Sequence, residues 1–173
     1  AETHHIGRVI LHPTNPDVVW VAALGHLYSS NKERGIYKTT DGGKTWNKVL
    51  FVSEDAGFVD LVINPENPDV LFAASWERER KAWDFKGAGN GSDIYKSIDG
   101  GEHWEKINTG KNGFPDNAGV GRIGLDISAS NPQIIYAVLD NQNRRPKEES
   151  EKLKVTKDLL ISISKEDFLV LSD

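Results

Sequence analysis

Short apolar runs, some continuous and some alternating with polar residues, recur along most of this chain and are separated by Asn, Pro, Gly and Asp. That rhythm predicts short strands joined by tight turns; helices would repeat their apolar positions every three to four residues. Three stretches share one layout of apolar run, Asn-Pro turn and second apolar run. They are Arg8-Val9-Ile10-Leu11-His12-Pro13-Thr14-Asn15-Pro16-Asp17-Val18-Val19-Trp20, then Asp60 to Phe72, then Gly124 to Tyr136. Their Asn-Pro pairs, at Asn15, Asn67 and Asn131, lie 52 and 64 residues apart, so the unit varies only in its loops.

A second phrase occurs twice. Gly35-Ile36-Tyr37-Lys38-Thr39-Thr40-Asp41-Gly42-Gly43-Lys44-Thr45-Trp46 is matched by Asp93-Ile94-Tyr95-Lys96-Ser97-Ile98-Asp99-Gly100-Gly101-Glu102-His103-Trp104. Each reads as an alternating strand, then Ser/Thr-x-Asp-Gly-Gly, then a step to Trp, which describes a β-hairpin with a chemically prescribed turn. Joined, the phrases give four strands per unit, A to D: about 7–11, 18–24, 35–40 and 45–50, then 59–63, 70–75, 93–97 and 103–107. Strands A and B are nearly continuous in Val, Ile, Leu and Ala, which predicts burial on both faces, while C and D are more polar and predict an outer rim. Four graded antiparallel strands repeating every 50 to 60 residues are propeller blades.

The third unit stops after strands A and B. The expectation is an all-β chain of about two and a half blades, a fragment of a larger propeller, with a short C-terminal helical insert. Blade one covers about 7–50, blade two about 59–107 and the half blade about 122–139, within a blade region of 1–140; 141–173 is a charged, partly helical insert or tail. In that tail Ser164-Lys165-Glu166-Asp167 reads as an N-cap opening a helix through Phe168 to Leu171, and 157–162 is open between helical turn and strand. Since two and a half blades cannot close, the remaining blades or another copy of the chain are expected against the terminal ones.

Composition narrows the classes. The 173 residues are 38% hydrophobic and 27% charged, with net charge −5 and no apolar run long enough to span a membrane. The acidic balance argues against nucleic acid as partner. Without cysteine there is no disulfide, thiolate catalysis or zinc-thiolate site, and without methionine, the initiator included, the chain is expected to be a processed product or excised piece with any signal peptide already gone. No metal or cofactor is expected: His4, His5 and His12 form no ligand pattern, and each Gly-Gly turn fixes a single carboxylate where a hard cation wants several oxygens.

In the repeated turn the glycines supply positive φ, the carboxylate accepts backbone N–H groups, the preceding hydroxyl adds another bond, and the Trp covers the hairpin. Thr39, Asp41, Gly43 and Trp46, with Ser97, Asp99, Gly101 and Trp104, are thus expected to be structural. This box and the A–B phrase together resemble the Asp-box, or bacterial neuraminidase repeat, of sortilin-type propellers, xyloglucanase-type glycoside hydrolases and plastid photosystem-assembly factors, over about residues 6–140. The resemblance is to bacterial sortilin-like or glycosyl-hydrolase-like members and implies an exported, extracellular or periplasmic protein. Eukaryotic members carry a disulfide-rich module after the propeller; this cysteine-free chain shows none, so receptor-type cargo binding does not carry over.

If the A–B turns and Asp-boxes share one end of the blades, the long connections 25–34, 54–58, 76–92 and 109–122 share the other, where ligand sites usually sit. The richest is Trp76-Glu77-Arg78-Glu79-Arg80-Lys81-Ala82-Trp83-Asp84-Phe85. Trp76 and Trp83 with Arg78, Arg80 and Asp84 could stack on sugar rings or clamp an anion; equally, the Trp residues could anchor the loop to its own blade while the charges pair in solvent. His26 and Tyr28 in the neighbouring loop have the same two readings, as ligand contacts or loop anchors. Arg144 and Arg145 either face the cleft or belong to a solvated charge run. The favoured function is a non-catalytic binding or scaffold module for a glycan or protein. The alternatives are a glycoside hydrolase, xyloglucanase-like or sialidase-like, drawing a carboxylate pair from Glu77, Glu79, Asp84, Asp116 and Asp140, and an assembly module that pairs through exposed blade edges.

Overall fold

The structure, a computed structural model, describes residues 3–111, 113–144 and 157–170. The first sheet runs β1 (His5–Leu11), β2 (Val19–Gly25), β3 (Gly35–Thr39) and β4 (Asn47–Leu50), antiparallel and in chain order. The second begins with β5 (Ala56–Ile63) and β6 (Leu71–Glu77), is interrupted by a small hairpin of β7 (Glu79–Arg80) and β8 (Phe85–Lys86), and resumes with β9 (Ile94–Ser97) and β10 (Glu105–Lys106). β11 (Val120–Ile127) and β12 (Ile135–Asn141) pair as the first half of a third. The sequence phrases therefore become blades. The β7–β8 hairpin is an addition, since two-residue strands inside a charged loop carry no legible alternation.

Two apolar joints hold the blades together. Trp20, Ala22 and Ile36 of blade one meet Phe58, Leu61, Leu71 and Ala73 of blade two, whose opposite face, with Phe72 and Ala74, meets Val120, Ile123 and Leu125 of the half blade. Polar ties fix their register. The buried Trp20 Nε1 donates to the Gly100 carbonyl at 3.0 Å, reaching from one blade into the next blade's Asp-box. Asp60 pairs with Arg8 at 3.2 Å and accepts from Leu125 N at 2.9 Å, so one carboxylate touches all three A strands.

The expectation that strands A and B are buried on both faces holds for β5 and β6 and fails for β1 and β12. Ile6, Val9 and Leu11 on one side and Tyr136 and Val138 on the other stand exposed, because no sheet among the described residues covers those faces.

The polarity of the blades follows from backbone bonds. Gly42 N donates to Asp17 O at 3.0 Å and Gly100 N to Asp69 O at 2.9 Å, tying each C–D turn to the A–B turn of its own blade. The long connections therefore gather at the opposite end. Residues 1–143 form one compact unit and 144–173 another. The second contains α1 (Lys157–Ser162), which resolves the open stretch as helix, and α2 (Lys165–Val170). Ser164 Oγ caps α2, accepting Asp167 N at 3.1 Å and donating to Asp167 Oδ2 at 2.7 Å. Arg145 and Leu171 lie outside the described residues.

Candidate functional site

At the turn end the Asp-boxes are closed systems of bonds. Gly42, Gly43, Gly100 and Gly101 all have positive φ, between 70° and 86°. Asp41 accepts Thr45 N at 2.9 Å, Thr45 Oγ1 at 2.6 Å and Thr39 Oγ1 at 2.8 Å; Thr39 Oγ1 accepts Gly43 N at 3.0 Å. Asp99 is held likewise by His103 N at 3.0 Å, the His103 ring at 2.6 Å and Ser97 Oγ at 2.8 Å. Trp46 and Trp104 each donate from Nε1 to the second glycine's carbonyl, at 3.1 and 3.0 Å. These donors hold Asp41 down to about 2, the Thr45 hydroxyl and N–H and then Thr39 being the main causes. Asp99 is pushed well below the ordinary carboxylate range, chiefly by His103 N–H, then its ring, then Ser97.

The loop end is built differently. The β2–β3 loop folds back over Gly25, whose φ of 75° and missing side chain make room: a Cβ there would meet Asn31 Oδ1 at 2.1 Å and Arg34 Cγ at 2.5 Å. Arg34 then reaches across the loop. It donates to the carbonyls of Ser29 at 3.1 Å, His26 at 3.4 Å and Asp55 at 2.5 Å. Arg78 N donates to that same Asp55 carbonyl at 3.2 Å, which brings the start of the β7 hairpin against the β2–β3 loop. Ser30 Oγ donates to Asp55 Oδ1.

Between the loops of blades one and two lie two clefts that share Ser30, Asp55, Arg78 and Glu79. The first, of about 100 Å³, is also lined by Tyr28, Arg34 and Arg80; the second, of about 230 Å³, by Glu77 and Lys86. Tyr28, Arg78 and Arg80 are thus brought together. The other sequence candidates are not. His26 is half-buried, hydrogen-bonded through Nδ1 to Ser29 Oγ at 3.0 Å and set against the His4 ring at a 30° tilt with centroids 4.3 Å apart. Trp76 anchors its loop, donating to Gly87 O at 2.8 Å and meeting Phe85 edge-on. Its ring carries the Arg78 and Arg122 guanidiniums at 5.3 and 5.8 Å.

Trp83 anchors nothing. Lys81 N donates to Asp84 O at 2.8 Å, so Trp83 and Asp84 sit on the turn of the hairpin and the Trp is 84% exposed. Arg34, Ser30 and Asp55 are the residues that sequence reasoning passed over. The signal for Arg34 is faint: a glycine ending strand B and an Arg-Gly pair opening strand C, nine residues later.

Burial of Arg34 and Arg78 lowers both pKa values, burial being the main cause in each. Neighbouring guanidiniums add to it: Arg78 acts on Arg34, and Arg122 and Arg80 act on Arg78, while Asp55 offsets part of the charge on Arg34.

Graded four-stranded blades, stapled by Asp-boxes at one end and looped at the other, define a β-propeller of the Asp-box class. The profile of the Sortilin-Vps10 family, described as "Sortilin, neurotensin receptor 3", matches residues 1–168, and the chain belongs to that family. Among solved structures an ancestral GH74 enzyme superposes with a TM-score of 0.56 at 20% identity, covering 79% of this chain and 16% of that one. The GH74 enzyme of Niastella koreensis gives 0.45 at 22% identity, covering 78% of this chain and 19% of its own. The first likeness shows the fold. The chain spans less than a fifth of either structure. A search of the curated proteins found no match. No helix among the described residues is long and apolar enough to cross a membrane.

Proposed function

We propose that this chain is an exported, non-catalytic propeller module that binds a saccharide in the cleft between the loops of blades one and two. One observation carries the reading: the exposed ring of Tyr28 stands at the rim of a polar cleft that mixes cations, carboxylates and a hydroxyl, Arg78, Arg80, Asp55, Glu79 and Ser30. A sugar ring offers an apolar face to an aromatic plate and hydroxyls to such a mixture. The opposite end is occupied by its own hydrogen bonds.

A second reading, glycoside hydrolysis, is favoured by three carboxylates, Asp55, Glu77 and Glu79, on the 230 Å³ cleft. It needs a pair about 5–10 Å apart with one free to donate a proton. Glu77 is engaged by Lys86 Nζ at 3.1 Å and Gly91 N at 2.9 Å, and Glu79 by Lys81 at 2.9 Å. Asp84 and Asp140 do not line that cleft.

Titration of the full chain against a panel of neutral and acidic oligosaccharides separates the readings. The expected result is saccharide binding without release of reducing ends, weakened about tenfold by Tyr28→Ala and unchanged by Ile98→Ala in the stapled turn. Turnover abolished by Glu79→Gln would establish the hydrolase instead, and binding insensitive to Tyr28→Ala would remove the cleft.

A further inference from the structure

The cleft holds more positive charge than its own residues neutralise. Arg34 and Arg78 are 1% and 8% exposed. No carboxylate among the described residues pairs within 4.0 Å with Arg34, Arg78, Arg80 or Arg122. The nearby acids have other partners: Glu77 takes Lys86, Glu79 takes Lys81, and Asp55 takes the Ser30 hydroxyl. Most telling is Arg78. Its backbone N–H is bonded, but Nε and Nη2 are buried with no acceptor, as is Nε of Arg34.

A guanidinium taken out of water is disfavoured unless an anion and acceptors replace the lost hydration. Stacking on Trp76 at 5.3 Å engages the face of the Arg78 guanidinium and leaves its Nε and Nη2 groups without acceptors. Buried charge left unsatisfied beside a cleft marks a candidate ligand site.

We propose that Arg78, supported by Arg34 and Arg80, receives the carboxylate of an acidic sugar, a uronate within an oligosaccharide. Guanidinium nitrogens match a planar carboxylate two at a time. The remaining groups select what surrounds that carboxylate. Asp55 and Glu79 repel a bare inorganic anion, yet they accept hydroxyl protons, and so does Ser30. A polyhydroxylated ring bearing one carboxylate satisfies both demands, with Tyr28 offering its face at the rim. The lowered pKa values of Arg34 and Arg78 are the same electrostatic cost seen from the protein's side.

This inference rests on the saccharide reading above, and its test keeps the two apart. The full chain is titrated calorimetrically with tetragalacturonate, its methyl ester, neutral galactotetraose and tetraglutamate. The expected result is binding of tetragalacturonate, weakened at least tenfold by esterification and at least tenfold by Arg78→Gln. The Arg78→Gln chain without ligand should melt at the same temperature as the parent or higher, because a buried charge with no ion-pair partner has been removed. Equal affinity for acid and ester overturns the inference, as does undiminished binding by a folded Arg78→Gln chain, or tetraglutamate binding as tightly as tetragalacturonate. Galactotetraose bound without preference for the acid overturns this inference and leaves the saccharide reading standing; no binding of any saccharide overturns both. Should Arg78→Gln fail to fold, the acid-to-ester ratio on the parent chain still decides.

Discussion

Asp41 shows how far a single side chain can be read from its neighbours. Three hydroxyl and amide donors make its charged form more stable in the fold than in the unfolded chain, where an aspartate titrates near 3.9. With the folded value depressed, the stabilisation is full above about pH 4 and disappears as pH falls toward 2. Melting temperature measured from pH 7 to pH 2 should therefore fall steeply on the acid limb. Asp41→Ala and Asp99→Ala should each lower it at pH 7 and flatten that limb; an unchanged limb would contradict the bonding described.

Trp20 offers a second residue-level case. Blade two has Phe72 at the equivalent position, so a phenyl ring fits there, and Trp20→Phe isolates the bond to Gly100. Removing the donor and leaving that buried carbonyl unpaired should cost about 1–3 kcal/mol in urea unfolding. A loss below about 0.5 kcal/mol would mean the bond does not tie the blades.

At the scale of elements, the blades meet so closely that some strand positions admit no side chain. A Cβ on Gly57 would lie 2.6 Å from the Leu24 Cα, and one on Gly7 would lie 2.6 Å from the Val59 carbonyl oxygen. Gly57→Ala should destabilise by about 1–3 kcal/mol, whereas Gly124→Ala, with nothing within 4 Å, should stay within about 0.5 kcal/mol. Equal effects in chemical denaturation would contradict this inter-blade geometry. The strands themselves were legible because each repeats a pattern with a local cause: apolar runs, Asn-Pro turns and Gly-Gly turns. The cleft was legible only in part. Tyr28, Arg78 and Arg80 drew attention as loop aromatics and cations, but Arg34 becomes a site residue through burial over Gly25, and Asp55 through a carbonyl shared by two arginines. Neither relation has a sequence period, and Trp76 and Trp83, alike on paper, diverge because Trp76 lies in β6 against its blade while Trp83 sits on the hairpin turn.

For the whole molecule, the exposed faces continue the logic of the joints. Blade one presents an apolar groove of about 440 Å³ lined by Ile6, Val9, Val21, Ala23, Tyr37 and Trp46. In blade two the equivalent positions include Phe58, Leu61, Ala73, Tyr95 and Trp104, which form the joint with blade one. The half blade exposes Tyr136 and Val138 where blade one has Trp20 and Ala22. The two free faces are therefore matched to each other, and each is expected to accept a blade-type sheet. Light scattering should show concentration-dependent association of this chain, reduced by Val21→Lys or Tyr136→Lys. A monomer at all concentrations would contradict that match.

The division of labour between the two ends is the central claim. It is tested most directly by amide hydrogen exchange of the full chain, with and without a bound oligosaccharide. Protection should appear in 25–34, 53–56 and 76–92 and leave both Asp-box turns, 39–46 and 97–104, unchanged. Protection centred on the Asp-box turns, with the loop end unaffected, would contradict the account.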